Sequence, residues 1–314
     1  EQALYACDSR NQMLFGYSVF DAHIGRYAQA NLRLMANGLR EDGLLELCFP
    51  ARVAVTIPSF SLYFILAVLE NYLYTEDLAF AEEMLSVADK ILAAFDVRID
   101  GTGLIPAFKE KEYWNFYEWK PGLDGDQTFR DYELPLRYDS CLNLLYLIVL
   151  QRLHQFYVKT GKKPKTDLVG RAARSKEAIE RAFYVPEKKS FAISLENGVR
   201  SGFSQLVLAL AVAAGCRKED VKEHLFMLKS EGLMQPMSCA FKLWLYEALL
   251  ENGEENLAWV MEDILHTFGK MASVDTTLYE TDLGADDFLL AGSLCHGWSA
   301  VGCYILSRYA KNSA

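Results

Sequence analysis

The sequence has no apolar run long enough to cross a membrane and no surplus of positive charge. Its longest apolar run, residues 142–150, is shorter than the eighteen or so residues that a membrane-spanning helix needs. The chain carries 32 Lys and Arg against 42 Asp and Glu, a formal net charge of −10, and residues 159–167 form the only dense basic cluster. We therefore expect no membrane partner and no nucleic-acid partner, because no basic stripe is present to neutralise phosphates.

The sequence also lacks the motifs of several large enzyme classes. It has no Gly-rich phosphate loop, no GxSxG nucleophile elbow and no HExxH zinc motif, which excludes most nucleotide-binding, α/β-hydrolase and zincin interpretations. The 7 Cys are scattered without a CxxC pair, so buried free thiols are expected rather than a disulfide framework. Nothing in the sequence calls for a metal ion or an organic cofactor.

Helical periodicity extends along most of the chain, and buried helices alternate with amphipathic ones. Helices that are apolar nearly all round are predicted at 59–77, 141–161, 201–215 and 236–253. Helices with one wet face are predicted at 23–42, 78–95, 168–184, 219–232 and 254–269. The first and last helices are predicted near 9–20 and 296–311, and a short hairpin is predicted around Asn197-Gly198. Helix pairs without a repeat of fixed length favour a closed toroid over an open solenoid. The predicted fold class is therefore all-α, an (α/α)₆ barrel whose loops converge on one funnel.

Two long stretches, 96–137 and 271–295, have no helical pattern, and loops longer than about fifteen residues usually carry function. The first contains Trp114, Glu118 and Trp119. Sugars present apolar C–H faces and polar hydroxyls, so tryptophan platforms beside a carboxylate suit a sugar site. The alternative is a loop anchored by buried aromatic residues, with its acidic residues exposed.

The second stretch holds five acidic residues, of which Glu280 is the best placed for general acid or base chemistry. A calcium loop is disfavoured, because the acidic residues lack EF-hand spacing. His296 and Trp298 follow soon after. Cys295 and His296 cannot form a catalytic dyad, because neighbours along a helix point apart. A site role and a core role for His296 both stay open.

The chain begins with Glu1 and Asp8 seven positions apart around Tyr5, without an initiator Met or a signal peptide. We expect one domain, residues 1–314, cut from a longer protein. Arg10 follows Asp8 closely, and it is expected either to orient this carboxylate or to pair with it as a salt bridge.

These residues together resemble the catalytic domain of bacterial α-L-rhamnosidases, glycoside hydrolase family 78, over essentially all 314 residues. The family segment R-E-x-x-x-aromatic-x-x-D is similar to residues 1–8, which implies that Glu1 is the general acid and that Asp8 contacts the sugar, with Tyr5 as the aromatic between them. The family segment T-x-(W/Y)-E is similar to TTLYE, which implies that Glu280 is the general base.

Two further segments extend the resemblance. FYEW is similar to the family's aromatic–acid–Trp segment, which implies that Glu118 and Trp119 contact the substrate. SLCHGWSA is similar to the family's His-x-Trp-Ser helix start, which implies that His296 and Trp298 contact the substrate as well. The family is built on an (α/α)₆ barrel. The resemblance therefore implies an inverting glycosidase that removes terminal α-L-rhamnose without a cofactor.

The resemblance also implies a carbohydrate substrate and β-sandwich modules in the same parent chain. The location is left unknown between a bacterial cytoplasm and periplasm: the scattered cysteines fit a reducing compartment best, and an export signal upstream of Glu1 stays open. Two alternatives stay open. One is a different six-hairpin glycosidase, such as a relative of glucuronyl hydrolases or trehalases. The other is a carbohydrate-binding relative without catalysis, because Glu118 and Tyr279 depart from the commoner Asp and Trp of the family.

Overall fold

The computed structural model describes residues 3–20, 23–125 and 134–309 of the chain. Within these ranges the helices are α1 (Ala6–Val19), α2 (Ile24–Ala36), α3 (Pro58–Thr75), α4 (Leu78–Asp96), α5 (Ser140–Thr160), α6 (Leu168–Phe183), α7 (Gln205–Ala213), α8 (Val221–Leu228), α9 (Lys242–Leu250), α10 (Leu257–Ile264), α11 (Lys270–Asp275) and α12 (Val301–Tyr309). A π-helical turn, Leu265–Gly269, joins α10 to α11. None of these helices is long and apolar enough to cross a membrane.

Six of the described helices form a closed inner ring. In chain order they are α1, α3, α5, α7, α9 and α12; each packs against the next, and α12 packs against α1. The other helices lie between them in the chain, and α2, α4, α6, α8 and α10 each pack against the inner helix that precedes them. The all-α prediction of an (α/α)₆ barrel is confirmed.

Inner and outer helices differ in the way their apolar residues are arranged. Phe64 of α3 and Leu147 of α5 are fully buried, as are most of their neighbours, and each such side chain contributes about 1.5–3 kcal/mol by leaving water. The outer helices keep a solvent-exposed face, and two of them, α4 and α6, begin at side-chain caps. Asp77 accepts from the Phe80 N–H at the start of α4, and Asp167 accepts from the Gly170 N–H at the start of α6.

A small antiparallel sheet lies beside α5, α6 and α7. Its strands are β1 (Arg137–Asp139), β2 (Tyr184–Val185), β3 (Ser190–Glu196) and β4 (Val199–Phe203), and β3 pairs with the other three. The predicted turn at Asn197-Gly198 is confirmed, because both residues have positive φ angles of 50° and 78°. The predicted helix 201–215 is wrong at its start, since residues up to 203 belong to β4 and Ser204 caps α7.

The starts of several inner helices meet at one mouth of the barrel, since Asn11 of α1 bonds carbonyls just before α9 and α12. Described residues of the two long loops contact these helix starts. The Ser59 hydroxyl, in the first turn of α3, donates to the Phe116 carbonyl at 2.8 Å. The Tyr117 hydroxyl donates at 3.0 Å to Asp139, the residue before α5. The part of the first long loop around Phe116 and Tyr117 is therefore anchored on the N-terminal mouth, where the segment before α12 also lies.

Candidate active site

Residues from opposite ends of the chain meet at this mouth. Asp8 lies in the first turn of α1, and His296 is the residue before the short turn that leads into α12. The His296 Nε2 lies 3.7 Å from Oδ1 of Asp8, and both side chains are buried. The His296 ring packs on the Trp298 indole with 4.6 Å between ring centres. Closure of the ring by α12 and α1 thus brings three of the predicted site residues together.

His296 is held as a neutral imidazole with a defined tautomer. Burial lowers its pKa to about 4, because a desolvated ring disfavours the charged form. Its Nδ1 accepts from the Trp298 N–H at 3.5 Å. The ring proton therefore lies on Nε2, which faces Asp8. The site presents a neutral N–H donor beside a carboxylate, which is a pair suited to sugar hydroxyls.

The main chain around Glu280 is fixed by three bonds from the α12 side of the mouth. The Glu280 N–H donates to the Ser293 carbonyl at 2.9 Å, and the Trp298 indole N–H donates to the Glu280 carbonyl at 2.9 Å. The Ser299 hydroxyl donates to the Tyr279 carbonyl at 2.6 Å. The Glu280 side chain itself is half-buried. Glu280 is thus tied directly to Trp298, and through it to His296 and Asp8.

Glu118 is fully buried rather than open to the funnel. Its Oε1 accepts from both the backbone N–H and the hydroxyl of Ser238, just before α9. Its Oε2 has no hydrogen-bond partner among the described residues. Burial raises the pKa of Glu118 to about 7, although the Ser238 bonds and Lys120 oppose this rise. Near neutral pH, the protonated and the ionised forms of Glu118 are therefore both populated.

Trp119 and Trp114 lie side by side and form an aromatic wall. Their ring centres are 5.7 Å apart, and Phe116 packs against Trp119 at 4.7 Å. The Trp114 indole N–H donates to the Asp124 carbonyl at 2.7 Å. The Trp119 indole N–H is buried and has no partner among the described residues. The wall reaches the other cluster through Phe241, whose ring contacts both Phe116 and Trp298.

The two remaining predicted residues lie at the start of the chain. Tyr5 is the residue before α1, and its half-buried ring packs against the core. Glu1 lies outside the described residues, so its role as the acid remains a prediction.

Sequence reasoning missed how Asn11 and Arg10 hold the ring together, and Arg10 pairs with Glu70 rather than with Asp8 as expected. Asn11 is buried and donates to the carbonyls of Ala240 and Trp298, at 3.2 and 3.0 Å, which ties α1 to the starts of α9 and α12. Arg10 donates three bonds to Glu70 on α3, with a shortest distance of 2.6 Å. The ion pair of Arg10 thus joins two inner helices. The one available sequence signal was a run of polar residues inside a helix that is otherwise buried.

A cavity of about 440 Å³ lies within the barrel on the other side of Arg10. Two ion pairs are among the groups that line it: Arg10 with Glu70, and Arg152 with Glu251. It is separate from the predicted site residues, and we assign no chemistry to it. In the part of the chain that the structure covers, no group of three or more His, Cys, Asp or Glu side chains could hold a metal ion.

A closed ring of helical hairpins with carboxylates and aromatic residues at one mouth defines a class, the (α/α) barrel of six-hairpin glycosidases. The structural neighbours of the chain are glycoside hydrolases of this type. The resemblance to family 78 rhamnosidases that the sequence predicted is confirmed by the structural comparison. No family model matches the chain, and no curated protein matches it in sequence.

Three neighbours define the range of this similarity. A family 78 rhamnosidase of Bacillus sp. GL1 is 25% identical, with a TM-score of 0.82 over 98% of this chain. A rhamnosidase from Klebsiella oxytoca with rhamnose bound is 21% identical, with a TM-score of 0.78 over 99% of this chain. A family 63 mannosylglycerate hydrolase from Thermus thermophilus is 13% identical, with a TM-score of 0.67 over 97%. The chain spans 32% of the Bacillus protein, 59% of the Klebsiella protein and 92% of the Thermus protein.

Proposed function

We propose that this domain removes terminal α-L-rhamnose from a glycan or glycoside by an inverting mechanism. The observation that carries the proposal is the similarity to a family 78 rhamnosidase over 98% of the chain at 25% identity. The gathering of Asp8, His296, Trp298 and Glu280 at one mouth supports it, because these are the residues that the resemblance implies.

Inversion needs two carboxyl groups with different protonation states. Glu1 would donate a proton to the leaving oxygen, and Glu280 would remove a proton from a water molecule on the opposite face of the sugar. The two groups would stand roughly 6.5–9.5 Å apart to leave room for that water. The bonds that fix the main chain of Glu280 support its role, because a general base must be held within reach of the water.

The remaining residues would bind the sugar. Asp8 and the Nε2–H of His296 offer an acceptor and a donor to adjacent hydroxyls. Trp298 and Trp119 offer apolar faces to the ring. Tyr5 and Trp114 would complete the site, whereas the fully buried Glu118 would not touch the sugar in this arrangement.

The test is release of 4-nitrophenol from its α-L-rhamnoside, measured on the natural chain that contains this domain, with the first anomer formed followed by NMR. We expect β-rhamnose to appear first. Glu280→Gln should lower kcat by on the order of 10²–10⁴-fold while the substrate still binds. Asp286→Asn, an exposed carboxylate in the same segment, is the matched control and should keep the wild-type rate.

Two results would count against the proposal. First appearance of α-rhamnose would refute inversion. Cleavage of other aryl glycosides but not of the rhamnoside would refute the choice of sugar, and would favour a different six-hairpin glycosidase. The family 63 neighbour supports keeping that second candidate, since it shares the fold over 97% of this chain and is a mannosylglycerate hydrolase.

A carbohydrate-binding relative without catalysis is the third candidate. It predicts sugar binding that survives Glu280→Gln, with no turnover in the wild type. We also propose that β-sandwich modules of the same parent chain flank the barrel and that the protein acts in a bacterial cytoplasm or periplasm. The Bacillus enzyme, of which this chain spans 32%, supports the presence of further modules.

A further inference from the structure

One loop at the N-terminal mouth presents leucine side chains to solvent. In the segment Asp287–Gly292, Leu289 is 99% exposed and Leu290 is 78% exposed. Leu283 and Leu294, on either side of this loop, are 61% and 38% exposed. Single exposed leucines need no explanation, but two adjacent leucines that are both largely exposed are less common, and exposed apolar surface marks contact surfaces.

The backbone of this loop is unfavourable for the residues that occupy it. Phe288, Leu289 and Leu290 all have positive φ angles, of 50°, 58° and 68°. Side chains with a Cβ rarely adopt the left-handed region, and three such residues in a row are rarer still. Strain of this kind persists only where the surrounding structure imposes it.

The surrounding structure imposes this backbone conformation, because it holds the two ends of the loop close together. A Cβ built on Gly292 would lie 1.9 Å from the carbonyl oxygen of Gly284, so only glycine fits there. The Gly292 N–H donates to the Asp287 carbonyl at 3.0 Å, and the Thr281 hydroxyl donates to the Asp287 carboxylate at 2.6 Å. The leucines are thus presented on a fixed loop rather than on a loose one.

This loop adjoins the candidate active site. The Phe288 ring packs edge-on against Trp119, with ring centres 4.9 Å apart. Asp282, shortly before the loop, lies 3.6 Å from the ammonium of Lys120, the residue after Trp119. The carbonyl of Ser293, shortly after the loop, accepts from the Glu280 N–H. Leu289 and Leu290 therefore lie on the rim, next to the aromatic wall and the proposed base.

We propose that Leu289 and Leu290 are the contact surface for an apolar leaving group, so that the enzyme favours an aryl or other apolar aglycone over a sugar. The proposal rests on the proposed function. Two aliphatic side chains offer no hydrogen bond to the hydroxyls of a second sugar, whereas they can cover an aromatic ring. Continuity with the Phe288–Trp119 contact selects this occupant over a second copy of the chain.

The test compares two substrates on the natural chain. One is 4-nitrophenyl α-L-rhamnoside, and the other is a rhamnosyl-glucose disaccharide. In Leu289→Ser/Leu290→Ser, we expect kcat/KM for the aryl substrate to fall about tenfold, equivalent to about 1.4 kcal/mol, since both leucines would be partly covered by the ring. The disaccharide should be hydrolysed as by the wild type. Leu233→Ser, an exposed leucine in the turn after α8, is the matched control.

A second variant separates the loss of apolar character from the mere change of residue. Leu289→Met/Leu290→Met keeps two apolar side chains on the same loop, so it should keep the wild-type preference for the aryl substrate. Equal losses on both substrates in Leu289→Ser/Leu290→Ser, or no loss on either, would overturn the proposal.

A turnover-independent experiment separates this inference from the proposed function. The protein is labelled at its leucine methyl groups and titrated with 4-nitrophenol, and the two rim signals are assigned with the single Ser variants. Shifts at Leu289 and Leu290 support the inference even if neither rhamnoside is cleaved, which would refute the proposed function alone. Unchanged rim signals would overturn the inference, as would self-association that the double variant abolishes.

Discussion

Glu118→Gln tests whether the carboxyl of Glu118 is as strongly desolvated as its complete burial indicates. Glu118 has no exposed surface, and its Oε2 has no partner among the described residues. Burial raises its pKa from 4.5 to about 7. Glutamine keeps the shape of the side chain and the acceptor for Ser238, but it cannot ionise.

The sign of the effect follows from linkage. The folded protein binds the Glu118 proton more tightly than the unfolded chain does, so the free energy of unfolding falls as the pH rises from 4.5 to about 7 and then levels off. The whole decrease is about 3 kcal/mol at 1.36 kcal/mol per pKa unit, and about 2 kcal/mol of it lies between pH 5 and pH 8.

The assay is urea unfolding of the wild type and of Glu118→Gln at pH 5 and at pH 8. We expect the wild type to lose about 2 kcal/mol more than the variant between these two pH values. Burial also raises the pKa of Glu247 to about 7, so the variant should keep part of the slope. Glu231→Gln, an exposed glutamate after α8, should behave as the wild type. Identical slopes in the wild type and Glu118→Gln would refute the reasoning.

Two further predictions concern the inner ring. Arg10→Met should destabilise the protein by about 3–5 kcal/mol, because Glu70 keeps a poorly solvated charge without its partner. In urea unfolding, Arg10→Met/Glu70→Leu should recover most of that loss. A double variant as unstable as the single one would contradict this. Asn11→Ala removes the donor from two buried carbonyls and should lower the free energy of unfolding by about 1–3 kcal/mol. Asn252→Ala is the control and should lower it little, because the Asn252 amide bonds only the carbonyl four residues earlier in the chain. Equal shifts of the melting temperature in the two variants would argue against a ring-closing role for Asn11.

Helix positions could be predicted from the sequence because helical periodicity is local. The predicted 59–77 and 141–161 correspond closely to α3 and α5, where nearly every side chain faces another helix. The predicted 23–42 runs past the end of α2 at Ala36, since the helix ends at its C-cap Asn37, which is followed by Gly38. The predicted non-helical stretch 271–295 begins five residues too early, because α11 continues to Asp275.

The sequence pattern also indicated which residue types belong to the site, but not how they are arranged. Asp8, His296 and Trp298 meet as the resemblance implies. Glu118 is in the expected loop, yet its carboxylate is turned toward Ser238 and is buried. No sequence pattern marks Ser238 as its partner, because the two residues are 120 positions apart in the chain and only folding brings them together.

The sequence by itself determined the local features: the alternation of buried and amphipathic helices, the turn at Asn197-Gly198, and the types of side chain available for chemistry. Only the tertiary structure decided the closure of α12 on α1, the desolvation of Glu118 and the exposure of Leu289 and Leu290. The physical reason is that periodicity and turn propensity depend on neighbours along the chain. Desolvation, pKa and exposure depend on atoms that folding brings together from distant parts of it.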